Sequence, residues 1–356
     1  MKRIITAVVV ALAALAAGIA SAGGPLTKSQ IQPQMLDSRA YLDSYSFWVL
    51  GDDGSLLFAS VLLSNLAGTP TRPGYSLAYY GADGQRFDVE GEVDAEALTI
   101  SGPPLNVGFE PGGRLQATGT GYSLNLLGKD RQGVTVKAEM NFSGASPSHT
   151  WAEPMAVGDG RFWLGQLFPS GIAKGQLKVG SGENARVIPI EGQAYGDHSW
   201  QDAWAHHIAR RWVNVRFFSD GPDLALTTWK TPEGLTFARG ALVEGGELVS
   251  SIMGARVEVQ EGGQDAASGY PLPSGLSIDA GSAGLLNVTF GAPVDRRDLL
   301  GGVTPVVKTL LQWFVAKPYS YRFKKAARLH LPGANGSEPR YIEGVVVAEI
   351  IYVNAP

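Results

Sequence analysis

The sequence predicts an all-β protein built from two antiparallel β-barrels packed side by side, with one short helix in the C-terminal half. Three observations lead there. Short apolar or alternating runs are separated by Gly, Asp-Gly and Pro along most of the chain, which is the rhythm of antiparallel strands and tight turns. The 46 glycines and 21 prolines supply those turns, and a 44% apolar content supplies the cores. At 356 residues, and about 150 residues per domain, two units are expected. Closure of each sheet is the economical arrangement, because it removes exposed edges and leaves room for one small ligand at about eight strands.

The first 22 residues have the form of an export signal. Lys2 and Arg3 precede an apolar run from Ile4 to Ile19, and Ala20-Ser21-Ala22 offers small residues for cleavage after Ala22. The run is shorter than the roughly 20 residues a membrane span needs and is rich in Ala. Secretion through the inner membrane, with a periplasmic destination, is therefore expected.

The strands follow in order. Ser46 to Leu50 and Leu56 to Leu63 flank Asp53-Gly54, and Tyr75 to Tyr80 and Arg86 to Val89 flank Asp83-Gly84; both Asp-Gly pairs suit tight hairpin turns. Gly121 to Leu127, Val134 to Phe142, Gln176 to Val179 and Val187 to Ile190 complete a first domain, residues 23–203. The second domain, residues 204–356, carries Trp212 to Phe218, Leu224 to Trp229, Leu242 to Ser250, Arg256 to Val259, Leu286 to Phe290, Tyr319 to Phe323, Arg328 to Leu331 and Tyr341 to Val353. The Gly-rich stretch from Glu261 to Gly269 reads as a solvated loop. The helix is expected from Thr304, an N-cap followed by Pro305, with Val306, Val307, Leu310, Leu311 and Phe314 at helical spacing. Trp313, Lys317, Arg322, Lys324 and Lys325 around it also suit a peripheral membrane contact.

Charge and composition exclude several classes. Acidic residues outnumber basic ones, 33 to 29, with no long basic run, so nucleic acid is not an expected partner. The absence of Cys removes disulfides, thiol catalysis and Cys-ligated zinc. No Gly-x-Ser-x-Gly elbow, phosphate loop or dinucleotide fingerprint occurs, and no cofactor is expected.

The chemistry concentrates in residues 191–218, which hold His198, His206 and His207 of the five histidines, with Trp200, Trp204 and Trp212. In an extended segment His198 and Trp200 share one face with Ala194 and Gly196, and Tyr195, Asp197 and Ser199 share the other. The small residues leave space beside His198 and Trp200. Adjacent residues on a strand diverge, so Asp197 is read as structural at the domain join rather than as a partner of His198. The three histidines lack the spacing of a metal site, and none is expected.

Tyr195-Gly196-Asp197-His198-Ser199-Trp200 resembles the Tyr-x-Asp-His-x-Trp signature of the lipocalin-like AttH/CrtC group, which includes carotenoid 1,2-hydratase (hydroxyneurosporene synthase). Leu167-Phe168-Pro169-Ser170-Gly171, Gly175-Gln176-Leu177 and Arg211-Trp212 are similar as well. Ala205-His206-His207-Ile208-Ala209, with Trp212, Thr231-Pro232 and Gly240, is similar to the eukaryotic survival-factor proteins associated with sphingolipid handling. These resemblances imply two lipocalin-like barrels and an apolar ligand held between or within them. The hydratase roles carry over to His198 and Trp200. The second Tyr-x-Asp of hydratases has no acid here, since the comparable stretch is Ala225-Leu226-Thr227.

A substitute acid is Glu349, which shares a strand face with Val345, Val347 and Ile351, where desolvation would raise its pKa; the alternative is an ion pair with Arg211 or Arg216. The candidate site is therefore His198 and Glu349 as catalytic groups, with Trp200, Tyr195, Trp212, Trp229 and Arg216 around the ligand. The expected function is binding of a long apolar molecule, isoprenoid or lipid. The alternative is a cofactor-free hydratase or cyclase acting on an isoprenoid C=C bond.

Overall fold

The computed structural model describes residues 23–65, 70–151, 153–182, 185–299, 317–333 and 338–353. The predicted export signal and the predicted helix from Thr304 to Phe314 lie outside the described residues. Among those described, strands dominate and every pairing is antiparallel.

The first sheet contains β1 (Leu42–Gly51), β2 (Leu56–Ser64), β3 (Arg72–Tyr80), β4 (Arg86–Glu92), β5 (Leu98–Ser101), β6 (Asn106–Phe109) and β7 (Gly113–Ala117). It continues with β8 (Gly121–Lys129), β9 (Thr135–Gly144), β10 (His149–Thr150), β11 (Met155–Val157), β12 (Gly160–Val179) and β13 (Arg186–Gln201). Its order is β4-β3-β2-β1-β13-β12-β9-β8-β7-β6-β5. The sheet curls around one core that includes Tyr45, Phe47, Phe109, Phe142 and Phe168. Its edge strands β4 and β5 share no ladder; Val89 of β4 instead bridges to Asp130 beyond β8.

The second sheet contains β14 (Arg211–Phe218), β15 (Asp223–Lys230), β16 (Thr236–Glu244), β17 (Glu247–Ile252), β18 (Arg256–Gln264), β19 (Pro271–Asp279), β20 (Leu285–Thr289), β21 (Asp295–Asp298), β22 (Tyr319–Leu331) and β23 (Arg340–Tyr352). Its order is β17-β16-β15-β14-β23-β22-β20-β19-β18, with β21 on β22. It wraps a second core around Phe217, Phe323, Tyr321 and Leu286. Between the sheets runs a single helical turn, Ala205–Ile208.

The hairpins predicted at Asp53-Gly54 and Asp83-Gly84 form, with Gly54 and Gly84 at φ 82° and 84°. The run Leu242 to Ser250 is two strands rather than one, because Gly245 and Gly246 take φ of 60° and 83° and turn the chain back. The expected loop from Glu261 starts as strand, since β18 continues to Gln264 against Pro271 and Pro273 of β19. Tyr319 to Phe323 and Arg328 to Leu331 join into one strand through the exposed Lys325 and Ala326. The two longest strands of the first sheet, β12 and β13, run well beyond the short apolar runs at Gln176 to Val179 and Val187 to Ile190. Both are buried on two faces near their ends, so alternation cannot reveal them.

The two sheets meet through two apolar clusters. One joins Trp48, Phe58 and Tyr195 to Phe218, Ala225 and Val347. The other joins Trp151, Phe162 and Leu164 to Ile208, Ala209 and Trp229. Polar ties add direction: Tyr80 and Arg86 reach Asp295 at 2.5 and 2.6 Å, Arg297 pairs with Asp88, and the Ser170 hydroxyl donates to Asp223 at 2.5 Å.

Gly196 shows why a side chain is missing at the centre of the signature. A Cβ there would meet the Phe168 ring at 2.6 Å, and Phe168 is 1% exposed within the first core. Gly196→Ala is expected to cost about 1–3 kcal/mol through overpacking, read as a lower denaturation midpoint in urea with an unchanged slope.

Candidate functional site

On β13 the alternation of side chains divides the signature between two environments. Ala194, Gly196, His198 and Trp200 point into the first core, while Tyr195, Asp197, Ser199 and Gln201 face the second sheet. The same period-two rule turns Ser44, Ser46 and Trp48 of β1, Trp212, Asn214 and Arg216 of β14, and Glu349 and Ile351 of β23 toward the same space. Register places Ser46 opposite Asp197, Ser44 opposite Ser199, and Asn214 opposite Glu349. These walls enclose a cleft of about 310 Å³ between the sheets, bounded also by Phe162, Leu164 and Thr227, with Leu299 and Pro318 completing its lining.

The floor of the cleft is charged and paired. The Arg216 guanidinium is buried, stacks 3.6 Å over the Tyr195 ring and 4.9 Å from Trp48, and lies 3.5 Å from Asp197. Its terminal nitrogens donate to the Val215 and Leu226 carbonyls at 2.8 and 2.7 Å and to the Thr227 hydroxyl at 3.3 Å, while Nε is buried without a hydrogen-bond partner. Burial pushes the Asp197 carboxyl up to about 6, although Arg216, the neighbouring Tyr195 hydroxyl and the nearby His198 pull the other way. Burial also raises the Tyr195 phenol well above its ordinary range.

Glu349 is 8% exposed, and its Oε1 accepts from Arg322 Nε at 2.8 Å and from Ser320 Oγ at 3.0 Å. Its ion partner is therefore Arg322 rather than Arg211 or Arg216. Burial works against the Arg322 charge, but Glu349, Tyr80 and Asp295 outweigh it and hold the guanidinium above its ordinary value.

His198 lies on the opposite face, fully buried. Its Nδ1 is 2.7 Å from the Gln30 carbonyl and its Nε2 is 2.8 Å from Asp43 Oδ1, so both ring nitrogens face oxygen atoms. Asp43 also accepts from the Gln34 amide at 2.9 Å and from Tyr41 at 3.3 Å, and the Tyr45 ring stacks on the imidazole at 4.3 Å. The histidine thus fastens the segment around Gln30 and Gln34 across the first sheet. Trp200 packs in the same core, 6.4 Å from Trp163.

Of the residues singled out from sequence, the structure gathers Asp197, Arg216, Trp212 and Glu349 at the cleft. Tyr195 lies beneath Arg216, and Trp229 stands behind Trp212 at 5.5 Å in the apolar cluster. His198 and Trp200 are not among the lining residues. Sequence reasoning missed Ser44, Ser46, Asn214 and Thr227, and the ion partners Asp43 and Arg322. The serines had a signal: they alternate with the apolar Tyr45 and Phe47 in a strand whose polar face is half-buried. Asp43 and Arg322 had none, because their partners are distant in sequence. His206 and His207 sit on the single helical turn with rings 4.3 Å apart. Among the described residues no group of three His, Asp or Glu side chains could hold a metal ion.

Comparison with known proteins places the chain further. The Svf1 family profile matches residues 161–354. Ceramide-binding protein svf-1 of Neurospora crassa is 25% identical over 356 residues, covering 92% of this chain and 90% of that protein. Ceramide-binding protein svf1 of Emericella nidulans is 22% identical, covering 89% and 88%. Among solved structures, kievitone hydratase from Nectria haematococca superposes with a TM-score of 0.60 at 13% identity, covering 94% of this chain and 95% of that one. The AttH of Nitrosomonas europaea does so with 0.58 at 12%, covering 86% and 91%. The fold is that of these lipocalin-like proteins.

Two outcomes follow from the geometry. His198→Ala is expected to cost about 3–5 kcal/mol, because it leaves a cavity in the first core and Asp43 buried without its imidazole partner; chemical denaturation measures this. Asp197 and Asp223 are both pushed up to about 6 by burial, from an ordinary 3.8. A raised carboxyl favours the folded state fully below its ordinary value and loses that contribution as pH rises through the folded one. The double variant Asp197→Asn, Asp223→Asn is therefore expected to show a flatter loss of stability between about pH 4 and pH 6.5 than the parent, as followed by thermal melts.

Proposed function

The chain belongs to the Svf1 family, and on that premise we propose that it binds a ceramide-like long-chain lipid in the cleft between its two sheets. The observation that carries this reading is the cleft itself, an opening between two filled cores whose lining changes from apolar to polar. Leu42, Trp48, Phe162, Leu164, Ile351 and Val353 offer an apolar path for a chain. Ser44, Ser46, Ser199, Asn214 and Thr227 offer hydroxyl and amide groups for a polar head.

Size limits what enters. Small-molecule pockets commonly measure about 300–1,000 Å³, so a cleft of about 310 Å³ takes a polar head and the beginning of a chain, with the remainder extending out through the opening. At about 0.8 kcal/mol per CH₂ removed from water, ten such groups supply roughly 8 kcal/mol, the scale of micromolar affinity before association costs. An isoprenoid chain would gain the same burial but would leave the polar wall without partners, which favours the amide lipid.

The hydratase alternative requires a carboxyl group able to give up a proton to a C=C bond. Glu349 is already engaged by Arg322 and Ser320, which favours binding over chemistry. Export is part of the proposal and rests on the basic, apolar and small-residue pattern of residues 1–22.

Saturable uptake of ceramide from mixed vesicles, measured by native mass spectrometry, tests the reading. Ser199→Trp, which fills the cleft from a half-buried position, is expected to weaken uptake at least tenfold with the melting temperature retained. Uptake no greater than that of a two-chain phospholipid, or a Ser199→Trp protein that binds as the parent does, would overturn it.

A further inference from the structure

The ionisable side chains lining the cleft are Asp197, Arg216 and Glu349 among the described residues, and each already has an opposite charge beside it. Asp197 faces Arg216 at 3.5 Å, and Glu349 is held at 2.8 Å by Arg322, which stands behind the wall. Both cations already have their charge matched, although Arg216 Nε and one terminal nitrogen of Arg322 have no hydrogen-bond partner. Arg216 is committed to two backbone carbonyls and the Thr227 hydroxyl, and Arg322 also lies 3.9 Å from Asp295. Asp295 in turn takes Tyr80 and Arg86.

We infer that these two pairs make the cleft selective for lipids whose head group is uncharged, and that Asp197 and Glu349 set this selectivity. The inference rests on the lipid-binding reading above. A phosphate head would have to draw Arg216 or Arg322 away and strand a buried carboxylate, while an ammonium head would have to draw Asp197 or Glu349 away and strand a buried guanidinium. Either exchange leaves an uncompensated charge at low dielectric, which costs more than the new contact returns. An uncharged head with hydroxyl and amide groups meets Ser44, Ser46, Ser199 and Asn214 without disturbing either pair. Discrimination arises from what the site cannot compensate, as well as from what it attracts.

The test compares three probes that share a sphingoid chain: ceramide, ceramide 1-phosphate and sphingosine, each offered in neutral phosphatidylcholine vesicles and quantified on the protein by mass spectrometry. The parent chain is expected to take ceramide at least tenfold better than either charged probe. Glu349→Gln and Asp197→Asn, which keep shape and remove one negative charge, each release a guanidinium and are expected to narrow the ceramide to ceramide 1-phosphate ratio at least fivefold. Sphingosine uptake should not rise in either.

Uptake of a charged probe within threefold of ceramide by the parent would overturn the inference and leave the lipid-binding reading intact. So would variants that still take ceramide with an unchanged ratio. Failure of the parent to take ceramide at all would remove both.

Discussion

Residues Ala194 to Gln201 form a strand that serves two environments at once, and the rest of the arrangement depends on this. Side chains of a strand alternate between faces, so a segment pressed between two sheets must present one residue set to each. Here Ala194, Gly196, His198 and Trp200 complete the first core, and Tyr195, Asp197, Ser199 and Gln201 form a wall toward the second sheet. Both cores are filled by aromatic and branched side chains, and a cleft of about 310 Å³ opens between the sheets. The cleft is therefore a consequence of how two curled sheets dock: Trp48 from one contact cluster and Phe162 and Leu164 from the other bound it.

Charge follows burial throughout. A charged group taken out of water needs a partner close by, and four buried groups have an ionisable one: His198 has Asp43, Asp197 has Arg216, Glu349 has Arg322 and Asp88 has Arg297. Their purposes differ with location. The His198 and Asp43 pair ties the N-terminal segment onto the first sheet, the Arg297 and Asp88 pair ties the two sheets together, and the other two border the open cleft. The signature therefore combines two kinds of residue. Its histidine and tryptophan organise a core, its aspartate borders the cleft, and its tyrosine lies beneath Arg216.

Much of this was legible from residue order. The hairpins at Asp53-Gly54 and Asp83-Gly84, the strand of Arg211–Phe218 and the divergence of Asp197 from His198 all follow from turn chemistry and period two. The weight given to His198 as a ligand contact came from the emptiness implied by Ala194 and Gly196 beside it. Phe168, distant in sequence, fills that space. Glu349 was legible as a partly buried acid, but its partner Arg322 sits on the neighbouring strand of a register that sequence does not reveal. β5, β6 and β7 were missed because each is short and strung between turns.

Sequence by itself determined the class of fold, the two-sided character of the signature strand, and the set of polar and aromatic side chains that any site could draw on, because alternation and turn propensity are local properties. Tertiary structure decided which face of that strand meets open space, which acid meets which guanidinium, and where the cleft lies. Those outcomes depend on contacts between residues far apart in the chain, and no local pattern encodes the docking of one sheet against another.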